Sequence, residues 1–97
     1  MNIDDDAFDT IVSGSAIIDF YADWCGPCKM VGKAIRELNT KKVKIYTYDV
    51  DKYSVNVSTL GVRSIPTLSF FKNGKEVHRH TGMITRNELE ALIDKHY

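Results

Sequence analysis

Ala16-Ile17-Ile18-Asp19-Phe20-Tyr21-Ala22-Asp23-Trp24-Cys25-Gly26-Pro27-Cys28-Lys29-Met30 passes from a nearly unbroken apolar run into a cysteine-bearing turn. The first six residues, interrupted only by Asp19, have the pattern of a strand covered on both faces. After the Ala22-Asp23-Trp24 link a helix is expected from about Cys25 to about Leu38. Pro27 is tolerated in its first turn, where amide hydrogens have no intrahelical acceptor. Met30, Val31, Ala34, Ile35 and Leu38 form the expected apolar stripe, with Lys29, Lys33, Arg36 and Glu37 facing outward. Val43 to Tyr48, rich in β-branched and aromatic residues, reads as a second strand, so strand, helix and strand make one right-handed parallel unit.

The pair Cys25 and Cys28, with Gly26-Pro27 between them, carries the chemistry. A thiolate at the start of a helix meets unpaired backbone amides and the positive end of the helix dipole, so Cys25 is expected to ionise more easily than an ordinary thiol. Ionisation alone is worth little, because nucleophilicity falls with proton affinity and the net gain is only about three-fold at neutral pH. The larger contribution comes from Cys28, one turn away, which attacks the mixed disulfide within the same molecule. Gly26 permits close approach of a partner chain and Pro27 limits backbone freedom between the sulfurs. A pair at this spacing is also half a zinc site. His78, His80 and His96 would have to complete it, and their spacing matches no compact zinc finger.

Asp19 has two readings, a satisfied structural carboxylate or a buried group whose proton affinity is raised by desolvation and which accepts the Cys28 proton. Trp24 is either a core residue or an exposed amphipathic ring beside the nucleophile. Pro66 precedes a strand that cannot use proline internally, so a tight turn is expected there; sequence physics alone does not choose its isomer.

Outward from this segment, Asp5 or Asp6 can cap a first helix bearing Phe8, Ile11 and Val12, stopped at Ser13-Gly14-Ser15. Asp51 to Leu60 fits helix or strand, and a short helix ending before Gly61 is favoured. Thr67 to Phe71, Asn73-Gly74 and Glu76 to His80 read as a hairpin. Thr85 and Glu88 form a capping box ahead of Leu89, Leu92 and Ile93. The expected fold is α/β, a central mixed sheet of four to five strands flanked by helices on both faces, in one domain spanning residues 1–97.

Thirteen basic residues balance thirteen acidic ones, which leaves no global field for nucleic acid or an anionic membrane. The runs Asp4-Asp5-Asp6 and Lys41-Lys42 read as solvated surface. No apolar run approaches the roughly 20 residues that span a bilayer, and the acidic first residues do not resemble a signal peptide, so a cytoplasmic location is expected. In a reducing compartment two cysteines three apart are better read as reactive or metal-binding than as a structural staple.

The segment Asp19 to Met30, together with Val62-Arg63-Ser64-Ile65-Pro66-Thr67, Phe71-Lys72-Asn73-Gly74 and Gly82, resembles the thioredoxin family over nearly the whole chain. The resemblance implies that Cys25 is the nucleophile, Cys28 the resolving residue, Asp19 the buried carboxylate, and Pro66 cis against the disulfide. It implies backbone hydrogen bonds from Ile65 to an extended substrate, and a shallow docking surface to which Trp24, Gly26, Pro27 and Gly82 contribute. It also implies no bound cofactor or metal, reducing equivalents from a partner reductase, disulfide-containing protein substrates and a monomer. Lys33 stands where many members carry a helix-kinking proline, so the kink is expected to be smaller or to come from Gly32. Tyr21 stands where tryptophan is common, and Thr47 where bacterial relatives often place a lysine near the buried carboxylate. Met1-Asn2-Ile3 is left as a truncated edge strand. The competing functions are a secretory-type oxidase or isomerase, a redox carrier serving a single pathway, and a binding module whose thiols are incidental.

Overall fold

The computed structural model describes residues 1–97. Its elements are α1 (Asp5–Val12), β1 (Ala16–Tyr21), α2 (Gly26–Arg36), β2 (Lys44–Asp49), α3 (Val55–Leu60), β3 (Thr67–Lys72), β4 (Lys75–Thr81) and α4 (Arg86–His96). The four strands lie in the order β2-β1-β3-β4. β1 pairs with β2 in parallel and with β3 antiparallel, while β3 and β4 form an antiparallel hairpin. Parallel neighbours need a long crossover, and α2 supplies it. The sheet is therefore mixed, as the sequence predicts, with four strands. Met1-Asn2-Ile3 adds an isolated parallel bridge from Asn2 to Thr47 at the β2 edge.

Alternation along the central strand divides the core into two layers. Ala16, Ile18 and Phe20 point with Phe8, Tyr48 and Phe71 into the layer beneath α1 and α3. Ile17 points with Val31, Leu68, Phe70, Ile84, Leu89 and Ile93 into the layer beneath α2 and α4. Fully burying each large aliphatic side chain contributes about 1.5–3 kcal/mol, so the two layers account for why an eleven-kilodalton chain closes around one sheet. Asp19 occupies the next position on the α2 face after Ile17. An apolar residue would complete the layer there; this chain places a carboxylate instead.

The local signals act as their chemistry requires. Thr85 caps α4, its hydroxyl accepting from the Glu88 amide at 3.1 Å while the Glu88 carboxylate accepts from the Thr85 amide at 3.1 Å. Asn73 and Gly74 both take positive φ, 53° and 82°, which makes the tight β3–β4 turn. Asp51 to Leu60 resolves in favour of a short helix, terminated by Gly61 in the left-handed region at φ 66°.

Three expectations need correction. The α1 cap is Asp4, which accepts from the Ala7 amide at 2.8 Å, and Asp5 instead turns toward Tyr48 and Asn56. The acidic run is thus not merely solvated. Helix α2 begins one residue later than expected, because Cys25 has extended backbone and serves as the cap. Met30 is 51% exposed, since the buried face of α2 follows Cys28, Val31 and Ala34 at three-residue spacing and Met30 falls beside it.

Candidate active site

Strand β1 ends at Tyr21 and the chain turns through Ala22-Asp23-Trp24 to deliver Cys25 at the N-terminus of α2. The Cys25 amide donates to Ala22 O at 3.1 Å, which closes that turn. With φ −86° and ψ 109°, Cys25 is the N-cap, and its Sγ accepts from the Cys28 amide at 3.1 Å. Sulfur here takes the place usually held by a serine or aspartate oxygen. Cys25 and Cys28 are joined in a disulfide with Cα atoms 5.2 Å apart, a normal separation for such a bridge. Both cysteines are nearly covered, 5% and 4% exposed, whereas Gly26 and Pro27 between them lie open to solvent.

Two segments close on the pair. Ile65 packs against the cluster formed by Ala22, Cys25 and Cys28. The Ile65-Pro66 bond is cis, the isomer that the family resemblance implies. Gly82, at φ 97°, donates its amide to Pro66 O at 2.9 Å and so ties the turn after β4 to the proline segment. Trp24 is 71% exposed, which decides against the core reading, and its Nε1 donates to Asp51 Oδ2 at 2.9 Å. A groove of about 210 Å³ runs between Trp24, Val50, Val57, Val62 and Ile65. The cysteine pair, the tryptophan before it and the proline segment therefore meet at one end of the sheet.

Asp19 lies 2% exposed. Its Oδ1 has no hydrogen-bond partner, and burial pushes its pKa from 3.8 to about 7. Asp19 and Cys28 line one cleft of about 380 Å³, which connects the carboxylate to the pair. Thr47 is the register partner of Asp19 on β2, and its hydroxyl donates to Asn2 Oδ1.

Sequence reasoning missed Asp51, whose only signal was an acidic residue after a strand. It also missed Arg36 and Gly32, which line the Asp19 cleft from the same face of α2 as Cys28. No group of three or more His, Cys, Asp or Glu side chains gathers as a metal site. His78 and His96 instead stack on each other, with centroids 5.0 Å apart.

A mixed sheet between helix pairs, with a disulfide at the start of a helix and a cis-proline segment packed against it, defines a thiol–disulfide exchange protein. The sequence matches the thioredoxin family over residues 1–95, and the chain belongs to that family. It is 43% identical over 94 residues to the thioredoxin of Chlamydia muridarum, covering 95% of this chain and 92% of that one. It is 39% identical over 102 residues to the thioredoxin of Haemophilus influenzae, covering 99% and 95%. Among solved structures, a mutant thioredoxin from Halobacterium salinarum NRC-1 superposes with a TM-score of 0.90 at 31% identity, covering 98% of this chain and 88% of that one. Thioredoxin from Malassezia sympodialis gives 0.85 at 35% identity, with coverage of 98% and 88%. The Cys25–Cys28 pair is the family's redox-active disulfide, and its chemistry is dithiol–disulfide exchange.

Proposed function

We propose that the chain is a protein-disulfide reductase in which Cys25 is the nucleophile, Cys28 the resolving thiol and Asp19 the proton acceptor. The observation that carries this reading is the 3.1 Å hydrogen bond from the Cys28 amide to Cys25 Sγ at the cap of α2. In the reduced protein the same amide and the helix dipole favour negative charge on Cys25 over Cys28. The Cys25 thiolate attacks a substrate disulfide, forms a mixed disulfide and releases one substrate sulfur as thiolate. Cys28 then gives its proton to Asp19 and attacks Cys25 Sγ. The Cys25–substrate bond breaks, and the second substrate sulfur leaves with the electron pair. Two electrons have passed from the pair to the substrate, and the Cys25–Cys28 bond remains.

Trp24, Gly26, Pro27, Ile65, Pro66 and Gly82 surround the pair as the docking surface for an extended segment of the substrate protein. Backbone groups at Ile65 and the apolar groove beside Trp24 would hold it with little demand on its side chains. The electrons are restored by a partner reductase. The chain works as a single domain and a monomer in the cytoplasm, a setting in keeping with its only two cysteines being the reactive pair.

Insulin reduction driven first by dithiothreitol and then by candidate reductases tests the activity and the donor together. Turnover is expected with wild type. Cys28→Ser is expected to accumulate covalent complexes on Cys25, identified by mass spectrometry. Absence of turnover with wild type, or of any adduct on Cys25, counts against the reductase reading.

A further inference from the structure

Strand β4 carries an irregularity that the exchange chemistry does not use. Phe70 pairs with His78 but Phe71 pairs with Glu76, so Val77 is an extra residue, a β-bulge. In a regular strand residues three apart point to opposite faces; the bulge brings Glu76 and Arg79 onto one. It is the face of Ser69 and Phe71, their register partners Arg79 and Glu76 lying on the α1/α3 side of the sheet.

On that face the side chains form one connected chain. Fully buried Ser69 donates its hydroxyl to Glu76 Oε2. Glu76 accepts Arg79 in a fork, Nε to Oε2 at 2.8 Å and Nη2 to Oε1 at 2.9 Å. Burial opposes ionisation of Glu76, but the hydrogen bonds from Arg79 and Ser69 outweigh it and hold the pKa below its ordinary value. Arg79 then reaches beyond the sheet, Nη2 also donating to Leu60 O at 2.8 Å and Nη1 to Gly61 O at 3.5 Å. Leu60 ends α3 and Gly61 is its left-handed cap, so both carbonyls lie where a helix leaves acceptors without an internal partner.

Helix α3 has six residues and no side-chain bond from its cap Ser54, so tertiary contacts must hold it in place. Asn56 ties its start to Asp5 and Tyr48, and Arg79 ties its end to β4. Only residues 62–65 separate Gly61 from Pro66. Val57 of α3, with Val62 and Ile65 beyond it, lines the groove shared with Trp24. The downstream end of this segment is fixed by the Thr67 hydroxyl, which donates to Ser64 O at 2.7 Å, and by the Gly82 amide on Pro66 O at 2.9 Å. Arg79 is the matching anchor upstream.

We infer that Arg79, oriented by Glu76 across the β4 bulge, is a positioning residue for substrate docking: it holds the end of α3, and with it Val57, Val62 and Ile65, in the arrangement that receives an extended segment of the substrate protein. This rests on the docking surface proposed above. Arg79 touches neither substrate nor sulfur. A guanidinium suits the task because its planar fork serves a carboxylate and two carbonyls at once, a geometry that an ammonium does not reproduce.

Insulin-reduction kinetics at saturating dithiothreitol, alongside amide hydrogen exchange followed by NMR, read the two halves of the claim. Arg79→Met is expected to raise KM for insulin about five-fold with kcat near wild type, the signature of lost binding rather than lost chemistry. The Gly61 and Val62 amides, which donate to Ser58 O and Val57 O at 3.2 and 3.0 Å, should become less protected in the same variant. Their exchange should quicken about ten-fold, while that of the Leu89 amide in α4 stays at the wild-type rate. Arg79→Lys, the milder change, should move both readouts the same way by less, and carries the test if Arg79→Met does not fold. An unchanged KM, a fall in kcat in its place, equal acceleration at Leu89, or Arg79→Lys matching wild type would each overturn the assignment. The docking surface is judged separately by Trp24→Ala: if that variant leaves KM for insulin unchanged, the docking reading fails whatever Arg79 does.

Discussion

Two aspartates show how differently this chain treats carboxylates set into its interior. On the α1/α3 side, Asp5 Oδ1 accepts from the Tyr48 hydroxyl at 2.5 Å and from Asn56 Nδ2 at 2.8 Å, while the Asn56 amide donates to the Tyr48 hydroxyl at 3.3 Å. Burial, and after it the hydrogen bond to Asp5, push the Tyr48 pKa up to about 12, so the hydroxyl stays a donor throughout the working range. That network joins α1, β2 and α3 with its donors and acceptors matched. On the α2 side, Asp19 has no partner for Oδ1 and its pKa rises to about 7. A matched polar network holds a fold together, whereas an unmatched buried carboxylate destabilises it and becomes responsive to protons. The difference separates a polar network that ties three elements together from a lone carboxylate in the cleft beside Cys28.

The contrast can be broken in four places, taken from the largest effect down. Cys25→Ser should reduce insulin-disulfide turnover to background while the secondary structure, monitored by far-UV circular dichroism, is unaltered; residual turnover would place the chemistry elsewhere. Asp19→Asn should stabilise the oxidised protein at pH 8. Because the folded pKa is raised from 3.8 to about 7, the folded state binds the proton more tightly. The burden of ionising Asp19 is absent below about pH 4, grows as pH rises through that interval, and is complete above pH 7. At about 1.4 kcal/mol per pH unit, the ceiling is about 4 kcal/mol, measured by urea unfolding at pH 8 against pH 4. A gain that is the same at both pH values would contradict the desolvation account.

Tyr48→Phe should act in the opposite sense. It removes a donor from Asp5 and should cost about 1–3 kcal/mol in the same urea experiment, with exchange activity unchanged. A loss of activity beyond the loss of folded protein would show that the network reaches the site. Asp51→Ala should have the smallest effect, because the Trp24–Asp51 hydrogen bond is exposed and worth about 1 kcal/mol or less. It should alter Trp24 fluorescence and raise KM for protein substrates slightly, with kcat unaltered.

What the sequence made legible follows the range over which each signal acts. Cys25, Cys28, the β1 run and the Thr85–Glu88 box are contiguous or one helical turn apart, so local chemistry specifies them. The side of the sheet that Asp19 faces also follows from counting along β1. The Asp5–Tyr48–Asn56 network was not legible, because its members are 43 and 51 residues apart from Asp5 and meet only once the sheet has formed. Asp51 escaped for the same reason, since its partner Trp24 lies 27 residues away in sequence. Met30 was misassigned because an apolar side chain in a helix looks like core until the angle of the buried face is known; here that face runs through Cys28, Val31 and Ala34.

Alkylation of the reduced protein by iodoacetamide across pH 5 to 10, with each cysteine quantified by peptide mass spectrometry, reads which sulfur the helix cap ionises. Cys25 should react first, with a midpoint below the about 8.5 of an ordinary thiol, and Cys28 should lag throughout. Equal reaction of both sulfurs with an ordinary midpoint, or prior labelling of Cys28, would contradict the role assigned to the amide-capped Cys25.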